Sequence, residues 1–151
     1  AVVAALLLTA FIIYSVVVYR QSGVEEHGLV LEEKEGYRAV HWHARLNMSA
    51  CGQQIFLPRN RGIPLLHTHT DNTRIHVEGL IRRPEDAALG KFMAAVGVPF
   101  SAERLFDFQS GQTCPGGTAP TTLKMTVNGQ PNEQFKNLPI NDGDVIELIY
   151  E

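Results

Sequence analysis

The first nineteen residues contain no charge; all 13 Lys and Arg and all 16 Asp and Glu lie from Arg20 onward. Cysteine is scarce, with two in 151 residues and no C-x-x-C spacing, which speaks against a thiolate zinc finger. The chain also lacks a phosphate-cradling glycine loop, a Ser-His-Asp arrangement and the Cys-x-His-x-Met-like cluster of a cupredoxin copper site. A second carboxylate-rich loop beside the histidines is missing, so calcium is not expected. Net charge is −3, and that balance speaks against a nucleic-acid partner. There is no internal repeat and no low-complexity tract. With 44% hydrophobic and 19% charged residues, the composition is that of a folded chain.

What is present divides into an apolar leader and an ordinary water-soluble domain. Residues 1–19 read AVVAALLLTAFIIYSVVVY. As a helix they would span roughly 28 Å, close to the hydrocarbon thickness of a bilayer. The segment is apolar on all sides, a pattern that requires burial in lipid or among similar helices. Tyr19 and Arg20 suit an interface, and Gln21-Ser22-Gly23 ends the helix. A secretory signal would show a basic n-region and a small-residue cleavage site, and neither is visible. The expected organisation is an apolar transmembrane or filament-core helix over 1–22, a linker or neck over 23–37 with a short strand at 29–31, and an extracytoplasmic His-rich β domain over 38–151.

Residues 38–48 alternate. Val40, Trp42, Ala44, Leu46 and Met48 share one parity, and His41, His43, Arg45 and Asn47 take the other. Period two predicts a half-buried strand. Cys51-Gly52 predicts a turn into a second strand over 53–57, and 58–64 a loop. Ile75 and Val77 against Arg74, His76 and Glu78 predict another strand over 73–79. A helix is predicted from Pro84, with Glu85 and Asp86 in its first turn and an apolar stripe at Leu89, Phe92, Met93 and Val96 ending at Gly97. Two further strands are expected over 122–127 and 145–150, with turns at Asn128-Gly129 and 141–144. The fold class is α+β: a small, mostly antiparallel β domain with one packed helix.

Cys51 and Cys114 lie beside glycine or proline turns, far apart in sequence. Outside the cytoplasm they are expected to form a disulfide. In the chain-entropy model a loop of that length stabilises by about 4 kcal/mol.

Five of the six histidines form a pattern: His41-Trp42-His43, His67-Thr68-His69, and His76. Residues i and i+2 of a strand face the same way, so each HxH pair offers two imidazoles in one direction. His41, His43 and His76 lie opposite their strands' apolar faces, and convergence would make a site for copper or zinc. A polar structural cluster with Asp71 or Glu78 also fits the pattern, as do separate surface histidines.

The order His41-Trp42-His43, Cys51-Gly52, His67-Thr68-His69, Ile75-His76, Leu89-Gly90-Lys91-Phe92-Met93, Val127-Asn128-Gly129 and Asp142-Gly143-Asp144 resembles an uncharacterised family of small membrane-anchored bacterial and archaeal proteins. Met93 replaces the second Phe of that family's LGxFF pattern. The resemblance implies the domain boundaries and the histidine grouping, and no reaction. The stretch from Val127 to Asp144 also resembles the end of a β-grasp domain. The N-terminus resembles a mature pilin-like helix, with Ala5 where bacterial type IV pilins usually carry Glu; archaeal pilins lack that Glu. The expected function is a non-enzymatic, helix-anchored domain that binds copper or zinc. The alternatives are a pilin-like filament subunit and an accessory subunit of a membrane complex. Expected partners are membrane lipid or neighbouring copies of the helix, in a homo-oligomer.

Overall fold

The computed structural model describes residues 11–14 and 36–151. The chain divides into two units, Ala1–Leu31 and Glu32–Glu151. In the first, residues 11–14 are helical, and Phe11, Ile12, Ile13 and Tyr14 are all exposed. The remainder of the apolar helix expected over 1–22, and the short strand expected at 29–31, lie outside the described residues. Among the described residues no helix is long and apolar enough to cross a membrane.

In the second unit the alternation beginning at Arg38 produces β1, Arg38–Ala50. Val40, Ala44, Leu46, Met48 and Ala50 are buried, while His41 and Arg45 are exposed on the other face. Cys51 and Gly52 follow with φ of 52° and 75°. Two left-handed residues in succession are what a tight hairpin requires, and Ala50 pairs with Gln53 of β2, Gln53–Ile55. Next come β3 (Gly62–Ile63) and β4 (Leu66–His67), a short hairpin within and just beyond the expected loop, and then β5 (Arg74–Ile81). After the helical region, β6 (Arg104–Leu105) and β7 (Phe108–Gln109) form a separate two-stranded ladder. The chain continues through β8 (Leu123–Val127), β9 (Gln130–Pro131) and β10 (Val145–Tyr150).

The main sheet has the order β3-β4-β5-β1-β10-β8-β9, with β2 also paired to β1. Every pairing is antiparallel except that of β1 with β10, which run parallel from Arg45↔Val145 to Ala50↔Tyr150. The architecture is α+β and mostly antiparallel. Strand β1 is long enough to serve two sets of neighbours. Its first half pairs with β5, and its second half lies between β10 and β2.

The helix expected from Pro84 forms in two pieces. Pro84–Ala87 is a 3₁₀ turn, and α1 is Leu89–Ala95. Between them Ala88 is extended (φ −71°, ψ 143°), and the backbone turns aside to bond with another segment. The Leu89 N–H donates to Leu138 O at 2.8 Å, and the Ile140 N–H donates to Ala87 O at 3.0 Å. The Asp86 carboxylate accepts the Arg82 and Arg83 N–H groups at 2.9 and 3.0 Å and so caps the turn. The stripe falls as expected. Leu89, Phe92 and Met93 are fully buried and join the sheet's apolar residues in one core cluster. Each such side chain contributes roughly 1.5–3 kcal/mol. Gly90 lets α1 approach the 3₁₀ turn Phe135–Asn137, since a Cβ there would stand 2.7 Å from Lys136 Cβ. Cys51 and Cys114 are bonded, with Cα atoms 5.5 Å apart and a sequence separation of 63.

Candidate metal centre

The face of β1 and β5 opposite the core collects the histidines. Strand order places β5 between β4 and β1. In register, His67 of β4 stands opposite His76 of β5, and His76 stands opposite His43 of β1. Three imidazoles thus form a row across three strands. One step along, His41 stands opposite Glu78. Ring centroids are 5.5 Å apart for His67–His76, 4.7 Å for His43–His76 and 4.9 Å for His41–His43. The ring of His69 lies 4.3 Å from His76 and 4.9 Å from His67. All five expected histidines therefore converge on one patch.

The backbone holds these side chains firmly. Thr68, between the two histidines of the second HxH, is buried. Its hydroxyl donates to Pro58 O at 2.6 Å and accepts from the Arg61 N–H at 3.2 Å. The Asn60 N–H donates to His69 O at 3.0 Å. Gly62, at φ 129°, packs so closely against Leu66 and His67 that a Cβ would strike their backbone. On the far side, the His43 N–H donates to the Asp142 carboxylate at 2.9 Å, and the Gly143 N–H donates to His43 O at 2.8 Å. The turn over 141–144 is itself tied together by Asp144, which accepts from Asn141 N–H and Asn128 Nδ2.

Glu78 stands at the centre of the charges. Its Oε1 is 3.2 Å from His76 Nδ1 and 3.4 Å from His41 Nε2, and its Oε2 is 3.8 Å from His67 Nε2. An ionised carboxylate can only accept, so His76 Nδ1 carries the proton and Nε2 keeps its lone pair. Burial lowers the His76 pKa; the Glu78 hydrogen bond opposes this, and neighbouring His69 and His43 reinforce it. The net result is an imidazole held neutral, the form a metal ligand needs. Burial works against the Glu78 charge. The His76 hydrogen bond and the neighbouring imidazoles of His41, His67 and His76 outweigh it, holding the carboxyl below its ordinary value.

One atom is unsatisfied. His67 Nδ1 is the only buried side-chain nitrogen or oxygen among the described residues without a hydrogen-bond partner. Leaving such a group bare costs about 1–3 kcal/mol. The donor set resolves into two groups whose ligand atoms lie within 4.8 Å of one another: His67, His69, His76 and Glu78 in one, His41, His43 and Glu78 in the other. Imidazoles with a carboxylate suit zinc and copper, and a bare imidazole nitrogen fits such an ion.

Asp71, the other expected acceptor, is used elsewhere. It accepts the Thr73 N–H and hydroxyl at 3.0 and 2.9 Å and pairs with Arg74. The roles of Thr68 and Asp142 carried no metal signal in the sequence. Asp142 was visible only as part of an Asn-Asp-Gly-Asp turn. No family model, no curated protein and no solved structure matches this chain.

Proposed function

We propose that this protein binds a transition-metal ion, zinc or copper, between His67, His69 and His76, with Glu78 beside them. The observation that carries the reading is the buried His67 Nδ1 without a partner, within a group of imidazoles brought together by strand register. Glu78 accepts from His76 Nδ1 and so sets the orientation of that ring in the metal-free chain. The function is non-enzymatic, because the carboxylate available as a general base is already engaged by three histidines. The Cys51–Cys114 disulfide supports an oxidising compartment outside the cytoplasm.

The apolar segment 1–19 supports anchoring, either in membrane lipid or against neighbouring copies of the same helix in a homo-oligomer. A pilin-like filament is the second reading. It is favoured by the consecutive exposure of Phe11, Ile12, Ile13 and Tyr14, which need apolar cover on every side of a helix. The parallel pairing of β1 with β10, flanked by antiparallel strands, supports the β-grasp-like reading of the C-terminal part.

The test is elemental analysis of the purified full chain, followed by titration of the metal-stripped protein with zinc and with copper(II). Stoichiometric binding is expected, and it should disappear in the His67→Ala/His69→Ala variant. A full chain that binds neither ion, or a variant that binds as the wild type does, contradicts the reading.

A further inference from the structure

We infer that the patch is a two-ion centre, with Glu78 as a carboxylate bridge between the His67/His69/His76 group and a second ion held by His41 and His43. The inference rests on the metal-binding reading above and adds a second site to it. Each donor group includes Glu78, and the two share no other residue. The carboxylate is already divided between them. Oε2 is the oxygen nearer His67, at 3.8 Å from its Nε2, and Oε1 is the oxygen nearer His41, at 3.4 Å from its Nε2.

Metal loading displaces the His76 Nδ1 proton, and Oε1, which accepts it in the metal-free chain, is then free to face a cation. His41 and His43 lie two apart on β1 and point the same way, with ring centroids 4.9 Å apart. The Asp142 carboxylate and the Gly143 N–H fix the His43 backbone, so one donor of the second group is preorganised.

The two groups differ in exposure. His67 and His76 side chains are 19% and 11% exposed, whereas His41 is 69% exposed. The inner site is therefore the less exposed of the two, although His69 is itself exposed, and its ion exchanges more slowly than the outer one. The outer site binds more weakly, and it fills second.

Titration of the metal-stripped full chain with zinc, read by calorimetry and by elemental analysis after gel filtration, tests this. Two steps are expected, the first at least tenfold tighter, with two ions per chain at saturation. His41→Ala/His43→Ala should remove the second step and leave the first. Glu78→Gln should weaken both. With copper(II), paramagnetic resonance should show an isolated ion at one equivalent and spin coupling at two. One ion per chain, unaffected by the His41/His43 substitutions, would overturn the bridge while leaving the single-ion reading intact. A chain that binds no ion overturns both.

Discussion

His43 and His76 stand directly opposite each other on β1 and β5, their ring centroids 4.7 Å apart and their planes at 88°. Such closeness suits neutral imidazoles and is unfavourable when both are protonated. Burial already lowers the His76 pKa, and the Glu78 hydrogen bond only partly opposes it.

The metal-free chain should therefore lose stability in mild acid. The His76 pKa lies below 6.5 in the fold and returns to about that value on unfolding. Between the two values the unfolded chain binds a proton that the folded chain refuses, so stability falls as pH drops from 6.5. Glu78 acts in the same direction at lower pH. Its folded pKa lies below 4.5, and its contribution, present above 4.5, is lost as pH falls through the folded value. The urea midpoint should be lower at pH 5 than at pH 7.5. A midpoint that rises on acidification contradicts the assignment.

Glu78→Gln removes the negative charge from the centre of the patch but keeps a side chain of similar size. The affinity for zinc should fall by about 10–100-fold, the usual consequence of losing a carboxylate that orients a ligating histidine. Unfolding free energy should change by about 1 kcal/mol. Calorimetric titration together with urea denaturation separates the two effects, and unchanged affinity is the adverse result.

Gly62→Ala tests how the β3–β4 hairpin sets His67. Gly62 has φ 129°, and a Cβ would strike Leu66 and His67. The variant should lose about 1–3 kcal/mol and bind metal more weakly. Gly52→Ala is the control: its φ is 75°, but no atom lies near its added Cβ. It should lose stability without losing metal affinity. Equal metal affinity in wild type and Gly62→Ala would show that the hairpin does not set the site.

Much of this was legible in the sequence. The parity of His41, His43 and His76 is correct because each lies on a strand whose other face enters the core, and period two leaves no third choice. The HxH at 67–69 was read from spacing alone. Its geometry depends on Thr68 reaching Pro58 and Arg61, contacts that no local pattern announces. The break at Ala88 was hidden for a similar reason. The run from Pro84 to Gly97 keeps helical periodicity throughout, yet Ala88 pairs with Pro139, about fifty residues away. The parallel pairing of the first and last strands was equally out of reach, since alternation identifies a strand and not its neighbour. Asp71 and Glu78 both lie near the histidines in sequence; alternation along β5 brings Glu78 to His76, whereas Asp71 binds Thr73. An aspartate two residues before a threonine is a turn former first.

The disulfide should contribute to stability through the unfolded chain. Cys51 and Cys114 close a loop of 63 residues, so reduction should lower the unfolding free energy by about 2–4 kcal/mol. Urea denaturation with and without reductant measures this. Intact mass after alkylation tests the bond itself, and two alkylated thiols in unreduced protein would refute it.

The most direct test of the central claim is the zinc absorption-edge fine structure of the full chain loaded with one equivalent. A metal held by His67, His69 and His76 predicts a shell of nitrogen and oxygen at about 2.0–2.1 Å, with outer-shell scattering from three imidazole rings and no sulfur. Light-atom ligands without imidazole scattering, or a protein that leaves dialysis free of zinc, would contradict it.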